Sequence, residues 1–305
     1  MRRLLSTDFS QPAGSHVVAG ELRGYYVDFR VKAESPEWPP VELQPLDRQL
    51  HVDVIQWGLG AWEHYLETGS EEWLRAALAV AEHLLAAQDG SGGWVHRFAY
   101  PHTFPLAAPW LSAMAQGEGA SLLVRLWRET GEERMLDGAV AARLPLLRPV
   151  ADGGVQAALG GGPFLEEYPT DPPSYVLNGA IFSLWGCLDL FLATGDEEMR
   201  ALFEEGVDAL SSCLSRWDTG WWSRYDLFPH PVRNIASEAY HALHVTQLRA
   251  LDLTAPRPAL RSMADRWEAA AASRVNRARA FGWKVAFRLA VPRNPALARR
   301  LPWVR

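Results

Sequence analysis

The 305-residue sequence has few of the features that cross-link small or secreted proteins. Its two cysteines, Cys187 and Cys213, both lie in apolar stretches with a helical pattern. Two cysteines make neither a disulfide framework nor a cysteine-rich metal motif, so we expect both to be buried free thiols. A chain of this length with 48% hydrophobic residues can bury a large core without cross-links.

Long apolar segments are also missing. The sequence contains no run of about 20 apolar residues, which is the length that spans a bilayer. The N-terminal sequence MRRLLSTDFSQPAGS lacks the apolar central region of a signal peptide. We therefore predict no membrane span and a cytoplasmic location.

Acidic residues are absent from the last 33 residues, 273–305, which contain nine Arg or Lys. Since the formal net charge of the chain is −6, the residues before this end carry −15. A basic end of this kind suggests contact with an anionic polymer, a membrane surface or an acidic partner. A solvated terminal helix followed by a disordered end explains the composition equally well.

A repeated motif organises the middle of the chain. Thr-Gly followed by acidic residues recurs at Gly69, Gly131 and Gly195, at spacings of 62 and 64 residues, with a degenerate copy at Thr254. Each copy predicts a helix that ends at glycine, then a polar N-cap and acids in the first turn of the next helix.

A second repeat, out of phase with the first, begins with aspartate at residues 89, 152 and 218. Each copy contains glycine and precedes a short strand-like run, so the repeating unit is a helical pair followed by a loop with a small hairpin. Four pairs can be placed. Their first helices lie near residues 49–67, 110–129, 176–193 and 236–252, and the partners near 71–88, 132–147, 197–215 and 258–280.

Repeated helical hairpins of this length stack on one another or close into a ring. The sequence therefore predicts an all-α fold, an α/α toroid (barrel) of about four helical hairpins with small hairpins in the loops. Residues 1–46 are predicted to form an extended segment or a β-hairpin, followed by a proline-rich linker. The predicted divisions are 1–46, a barrel domain at 47–280 and a basic tail at 281–305.

Polar side chains in the predicted long loops would meet on one face of a toroid, where a binding site is expected. Glu166, Glu167 and Tyr168 directly precede an apolar helix, a position where proton-transfer groups are often mounted. Solvated acids and a packing tyrosine are the alternative interpretation. The positive charges predicted on the same face are Arg97, Arg224 and Arg233.

Four segments of the chain carry a family resemblance. They are PWLSAMAQGEGASLLVRLW (109–127), FLEEYPTDPPSYVLNGAIFSLWGCLDL (164–190), YDLF (225–228) and YHALHVTQLRALD (240–252). In this order they resemble the C-terminal catalytic domain of the D-glucuronyl C5-epimerases, over roughly residues 49–272. Those enzymes convert D-glucuronate to L-iduronate within heparan sulfate, heparin and related chains. The resemblance implies an α/α barrel and an epimerase whose partner is an anionic uronate-containing polysaccharide, with no nucleic acid.

The resemblance also implies roles for individual residues. Glu167, Tyr168, Tyr225 and Tyr240 match the catalytic groups of the family by motif. Family members are often dimeric, so a homodimer is expected. Gln116, Asn178, His241 and His244 also match the family pattern and are expected to contact substrate. The residue chemistry alone adds four further substrate-binding candidates, Glu166, Arg97, Arg224 and Arg233.

Two departures from the family pattern affect these expectations. Animal members usually have Arg-His after the YDL motif and Trp-Asp before the last tyrosine, where this chain has Phe228-Pro229-His230 and Glu238-Ala239. Animal members also carry an N-terminal β-barrel with a calcium site, which this chain lacks or reduces to residues 1–46. We therefore expect neither a metal nor a cofactor.

Inversion at C5 of a hexuronate removes a proton next to a carboxylate and returns one from the opposite face. Hydrogen-bond donors or cations must hold that carboxylate as charge develops. We predict Glu167, or a Tyr168 with lowered pKa, on one face and Tyr240 on the other, with Tyr225 binding or relaying. A uronate polysaccharide lyase on the same scaffold and a non-catalytic glycan-binding protein are the alternatives.

Overall fold

The computed structural model describes residues 11–101 and 103–292, most of which are α-helical, as the repeat predicted. The first helices of the pairs are α1 (His51–Thr68), α3 (Ala113–Thr130), α6 (Leu177–Thr194) and α8 (Glu238–Thr254). Their partners are α2 (Glu71–Ala87), α4 (Glu133–Ala141), α5 (Arg143–Leu147), α7 (Glu197–Cys213), α9 (Pro258–Ala272) and α10 (Arg274–Ala290).

The predicted glycine stops are confirmed. Gly69, Gly131 and Gly195 end α1, α3 and α6 with φ of 66°, 73° and 73°, the left-handed region in which glycine has no Cβ clash. The degenerate copy ends α8 without such a residue, since Ala255 has φ −143°. The Thr-Gly motif therefore marks the turn inside each of the first three helical pairs.

Two of the predicted partner helices are each divided in two. Helix α4 ends at Ala141 because of Pro145, four residues later. Pro145 lacks an N–H group, and in a continuous helix its ring would clash with the carbonyl of Ala141. Ser273 separates α9 from α10 and caps α10 by accepting a hydrogen bond from the backbone N–H of Asn276 at 3.3 Å. The division drawn at residue 280 falls inside α10, and the basic tail beyond residue 292 lies outside the described residues.

Small hairpins lie in the loops between pairs, as predicted. Strands β1 (Tyr100–Pro101) and β2 (Pro105–Leu106) form one antiparallel pair, and β3 (Gln156–Leu159) and β4 (Gly162–Leu165) form another. The third loop has only isolated bridges, between Asp218 and Ser223 and between Arg224 and Ile235.

The segment before α1 folds back on itself as a short antiparallel hairpin without regular strands. Ala13 and Val27 form a bridge, the N–H of Gly14 donates to the carbonyl of Tyr26 at 3.1 Å, and the N–H of Gly24 donates to the carbonyl of His16 at 3.2 Å. Short 3-10 turns follow at Arg30–Lys32, Val41–Leu43 and Leu46–Arg48. The backbone N–H of Tyr25 donates to the Glu63 carboxylate of α1 at 2.6 Å, a side chain rather than a neighbouring strand. Of the two predicted alternatives, the hairpin is therefore the one that forms within residues 12–28, while residues 1–10 lie outside the described residues.

The first helices pack in chain order, α1 on α3, α3 on α6 and α6 on α8. Helices α3 and α6 approach most closely where two glycines meet, because a Cβ atom on Gly186 would lie 2.2 Å from the Cα of Gly117. A buried ion pair of Arg125 and Asp189 also joins these helices, at 2.5 Å. Arg125 further donates to the carbonyl of Gly24 at 3.0 Å, so the N-terminal segment covers the C-terminal ends of the helices.

The two cysteines differ in exposure. Cys187 is a buried free thiol, but Cys213 is partly exposed, which corrects the prediction that both are buried; it is the last residue of α7. Helix α6 is long and apolar enough to cross a membrane by length and composition, with a mean hydropathy of 1.4. Burial of 72% of this helix within the protein is typical of a core helix.

Candidate active site

The site lies at the N-terminal ends of the first helices, opposite the end that the N-terminal segment covers. Each first helix carries one polar side chain of the site in its first turn: Asp53 in α1, Gln116 in α3, Asn178 in α6 and Tyr240 in α8. Helix N-termini carry a partial positive charge and free N–H groups, so this end of the molecule favours an anionic ligand.

Glu166 anchors the loop that leads into α6. Its carboxylate accepts hydrogen bonds from the backbone N–H and hydroxyl of Ser174, at 3.1 and 2.5 Å, and from the backbone N–H of Tyr175 at 3.1 Å. These bonds hold Tyr175 at φ 50°, a left-handed conformation that is rare outside glycine. Burial raises the pKa of Glu166 to about 7 despite these donors. All of these donors belong to the loop itself, so the role that the structure shows for Glu166 is to hold the loop.

Glu167, the next residue, faces the N-terminus of α6. Its Oε2 accepts a long hydrogen bond from Nδ2 of Asn178 at 3.5 Å. Burial raises the pKa of Glu167 to about 8; contact with Tyr168 lowers it, and the nearby carboxyls Glu166 and Asp53 raise it further. A carboxyl group in this environment exchanges a proton close to neutral pH.

Backbone pairing brings the YDL segment to the same place. The N–H of Leu177 donates to the carbonyl of Tyr225 at 3.2 Å, and the N–H of Leu227 donates to the carbonyl of Ser174 at 3.0 Å. The ring of Tyr225 lies edge-to-face against that of Tyr240, with centroids 4.9 Å apart. Tyr225 and Tyr240 also border Tyr168 and Glu167, so the four predicted catalytic residues come together.

The three phenols have raised pKa values. Burial is the first cause for Tyr168 and Tyr225, and the charge of Glu167 is the second. For Tyr240, which is 41% exposed, Glu167 and Asp53 add to the effect of burial. The prediction of a Tyr168 with lowered pKa is therefore wrong, because the aromatic and acidic surroundings disfavour the phenolate. All three phenols are proton donors in this structure, and Glu167 is the candidate base.

Comparison with known proteins identifies the family of this chain. The family described as D-glucuronyl C5-epimerase C-terminus matches residues 88–269. The chain belongs to this family. A D-glucuronyl C5-epimerase of Caenorhabditis elegans is 36% identical over 215 residues, which are 65% of this chain and 35% of the relative. An uncharacterised protein of Methanocaldococcus jannaschii is 27% identical over 194 residues, 59% of this chain and 61% of that protein. The chain thus spans less than two thirds of the length of either relative.

In this C5-epimerase family member, a second polar cluster lies near Glu167 and was not predicted. Gln56 donates through Nε2 to Glu118 at 2.8 Å, and Lys32 donates to the Oε1 of Gln56. Burial raises the pKa values of Glu118 and Asp53, and Lys32 opposes both shifts. One signal was present in the sequence, since Glu118 is a charged residue in the apolar stretch of a core helix.

Two predicted contacts, Gln116 and Asn178, remain good candidates for binding. Both side chains are buried. Among the described residues, the Gln116 amide nitrogen and oxygen and the Asn178 Oδ1 have no hydrogen-bond partner. Because an unpaired buried amide is unfavourable by about 1–3 kcal/mol, hydroxyl or carboxylate groups of a ligand would bind well there.

The predicted cations are not gathered around the phenols. Arg97 and Arg233 are exposed, while Arg224 is half-buried with Asp226, Arg233 and Arg216 as its charged neighbours. The Nζ of Lys284 on α10 instead lies 5.7 Å from the ring centre of Tyr225. The sequence did not predict Lys284 as a site residue, because residues 281–305 were assigned to a tail outside the barrel domain.

His241 and His244 lie in the core. The Nε2–H of His241 donates to the carbonyl of Trp267 at 2.9 Å, and its Nδ1 accepts from the backbone N–H of Ser223 at 3.1 Å. Burial lowers the pKa of His241 to about 4 and that of His244 well below its usual value. Both rings are fully buried and lie between α8 and Trp267 of α9, with centroid distances to Trp267 of 6.1 and 5.9 Å.

Aromatic side chains form one wall of the site. The rings of Tyr100 and Tyr168 are parallel, with centroids 5.5 Å apart, and Trp110 lies 6.0 Å from Tyr168. Behind Trp110 and Phe228 is a cleft of about 500 Å³. The phenols do not line this cleft directly, but they share Trp110 and Phe228 with it as a common wall.

A metal centre is not evident in the described part of the chain. Across residues 11–101 and 103–292, no three His, Cys, Asp or Glu side chains are grouped so that they could hold a metal ion.

Proposed function

We propose that this protein is an epimerase that inverts C5 of D-glucuronate residues in a heparosan- or heparan-like polysaccharide, giving L-iduronate. The observation that carries the proposal is the convergence of Glu167, Tyr168, Tyr225 and Tyr240 at the N-terminal ends of the first helices. Two loops and one helix supply these residues, and they lie far apart in the sequence. Membership of the C5-epimerase family supports the same reaction.

The reaction makes two demands of these groups. The C5 proton lies next to a charged carboxylate, so the intermediate formed on its loss carries a second negative charge. Hydrogen-bond donors fixed in place stabilise such charge better than water does, an effect commonly about 3–4 kcal/mol for each donor. Protonated phenols and the amides of Gln116 and Asn178 are donors of this kind.

The proton steps can then be written with the residues present. Glu167, once ionised, takes the C5 proton, and the electrons of the broken C–H bond move into the substrate carboxylate. Tyr240 donates its hydroxyl proton to C5 from the opposite face, which re-forms the C–H bond with inverted configuration. This leaves Glu167 protonated and Tyr240 as a phenolate, which accepts a hydrogen bond from the Tyr225 hydroxyl; proton exchange of both groups with water restores the starting state. In the reverse direction, Glu167 is the donor and Tyr240 the acceptor.

A polymeric substrate suits the surroundings of the site. Tyr100 and Trp110 provide flat faces on which sugar rings can lie, and the cleft behind Trp110 and Phe228 extends this surface. Helix N-termini and Lys284 favour the negative charge of a uronate chain.

We also infer that the four helical pairs close into the predicted toroid. Asp53 on α1 contributes to the raised pKa of Tyr240 on α8, so the first and last pairs approach each other at the site. A homodimer and a cytoplasmic location stay proposals from the sequence.

The test is hydrogen exchange at C5 in heavy water, with heparosan and N-sulfoheparosan as substrates. We expect deuterium at C5 and L-iduronate in the product, with no chain cleavage, and strong loss of both in Tyr240→Phe. Formation of an unsaturated, ultraviolet-absorbing uronate would identify a lyase instead. Binding of the polymer without any exchange would identify a glycan-binding protein.

A further inference from the structure

Helix α10 packs on the protein by one face only. Ala280 and Phe287 on that face are buried, and the indole N–H of Trp283 donates to the carbonyl of Arg233 at 2.9 Å. Their spacing of three and four residues is that of one side of an α-helix. This side attaches α10 to the loop that carries Arg233 and Asn234.

The opposite face of α10 is apolar and exposed. Val275 and Phe281 are each 75% exposed, Leu289 is 71% exposed and Val285 is 46% exposed. At 100° per residue, these four side chains lie on a single arc of the helix. The remaining residues of that arc add no acidic group: Arg274, Ala278, Gly282 and Ala286. We call this surface the α10 stripe, defined by Val275, Phe281, Val285 and Leu289.

Basic residues flank the α10 stripe on both sides. Arg277, Lys284 and Arg288 follow one edge and Arg279 the other, and α10 contains no acidic residue. Each of these groups also contacts the protein. The Arg279 guanidinium lies 4.0 Å from the ring centre of Trp221, Arg277 lies 3.8 Å from the Glu238 carboxylate, and Lys284 and Arg288 donate hydrogen bonds to loops. The sequence after α10 continues the pattern, with four further arginines and no acid up to residue 305.

We propose that α10 binds the surface of a membrane rich in anionic lipid. The α10 stripe enters the boundary between headgroups and acyl chains, and the flanking arginines contact the lipid phosphates. An exposed apolar arc bordered by basic residues is the pattern of a helix that lies in the membrane interface. Basic residues near an anionic bilayer and buried apolar side chains each contribute to such binding, and α10 has both.

Other occupants of the α10 stripe fit less well. A second copy of the chain would place two helices, each with five positive charges and no acid, against one another, which is unfavourable. A uronate polymer would neutralise the arginines, but it offers no apolar surface to Phe281 and Leu289. A bilayer with anionic headgroups satisfies both the charged and the apolar side chains.

Membrane binding through α10 would also place the candidate active site close to the bilayer. Lys284 donates to the Oδ1 of Asn234 and the carbonyl of Ile235, both at 2.8 Å, and Arg288 donates to the hydroxyl of Thr103 at 3.1 Å. These bonds join α10 to the loops around Tyr225. The proposal does not depend on the reaction that takes place there.

The experiment is co-sedimentation of the full chain with vesicles of phosphatidylcholine, either alone or with about 30% phosphatidylglycerol. We expect binding to the anionic vesicles, little binding to the neutral ones, and weakening as salt is raised. The double variant Phe281→Ser/Leu289→Ser should bind at least about tenfold more weakly. The matched control is Val41→Ser/Leu253→Ser, which changes two exposed apolar residues elsewhere and should bind like the wild type.

Circular dichroism of each variant establishes that it is folded. A charge variant, Arg274→Gln/Arg279→Gln, removes two basic residues of α10 with the four residues of the α10 stripe intact and should also bind anionic vesicles more weakly. Failure of the folded wild type to bind anionic vesicles at low salt would overturn the proposal. So would equal binding by the Phe281→Ser/Leu289→Ser variant, or ultracentrifugation showing a wild-type dimer that this variant dissociates.

Discussion

Gly179 and Glu167 are in direct contact at the N-terminus of α6. A Cβ atom on Gly179 would lie 2.3 Å from Oε2 and 2.5 Å from Cβ of Glu167. Glycine at this position thus lets the carboxyl group sit against the helix terminus, beside Asn178.

The first prediction concerns this contact. Gly179→Ala should displace the Glu167 carboxyl group and lower the rate of C5 exchange by about 100-fold, since a shift of about 1 Å at a reacting group has an effect of that size. The control is Gly282→Ala, at an exposed helical glycine with open space around it, which should leave the rate unchanged. Full exchange activity in a folded Gly179→Ala protein would contradict the assigned position of Glu167.

The second prediction is the pH dependence of the reaction. Glu167 must be ionised to accept the C5 proton, and its pKa is raised to about 8. The exchange rate should therefore increase with pH through about 8, while the phenols with raised pKa values stay protonated as donors. In Glu167→Gln the rate should be low at every pH. An unchanged pH profile in this variant would assign the titration to another group.

A third prediction follows from the same shift through stability. The pKa of Glu167 is higher in the folded protein than its usual value of 4.5, so the folded state binds more protons and loses stability as pH rises from about 4.5 through about 8. Glu167→Gln removes this buried ionisation. Its Tm relative to wild type should therefore be higher at pH 9 than at pH 4, by a few degrees. A Tm difference that does not change with pH would refute the buried location of the charge.

Removal of single hydroxyl groups gives the fourth prediction. Tyr225→Phe and Tyr240→Phe should each lower the exchange rate by about 10²- to 10⁴-fold, the usual contribution of a general acid or base. Tyr65→Phe is the matched control, because it removes an exposed hydroxyl that donates to Glu129 far from the site. Comparable losses in all three variants would mean that the phenol positions have no special role.

The fifth prediction concerns the ion pair at the other end of the helices. Arg125 and Asp189 are fully buried, so Arg125→Met would leave the Asp189 charge without its cation and should destabilise the protein by about 3–5 kcal/mol. Arg249→Met removes a surface pair with Asp265 and Glu268, and should change stability by less than about 1 kcal/mol. Urea unfolding of both variants measures the difference.

Local features of the fold were predicted well. The glycines at residues 69, 131 and 195 end their helices by adopting a left-handed conformation, which depends only on residues nearby in the sequence. The Thr-Gly motif therefore predicts these helix ends directly. The break at Pro145 has an equally local cause but was missed, because the amphipathic pattern continues across it. The aromatic residues before α1 have packing partners that no local pattern reveals. They pack on Phe182 and Trp185 of α6, which lies far along the chain.

For the candidate site too, motifs predicted which residues take part but not how they are placed. Glu167 and the three phenols could be identified from motifs, but the spacing of His241 and His244 shows only that they share a helix face, not that this face is turned into the core. The pKa of Tyr168 depends on burial and on three neighbours, Glu167, Tyr225 and Tyr100. Of these neighbours, only Glu167 is adjacent in the sequence.

The sequence by itself determined the helical repeat, its glycine stops and the residue types available for proton transfer, because these depend on neighbours within a few residues. Only the tertiary structure decided which of those residues meet, that Lys32, Asp53, Glu118 and Lys284 join them, and that α10 keeps an apolar face exposed. Contacts, desolvation and charge coupling depend on distances in space, and the packing of separate helices sets those distances.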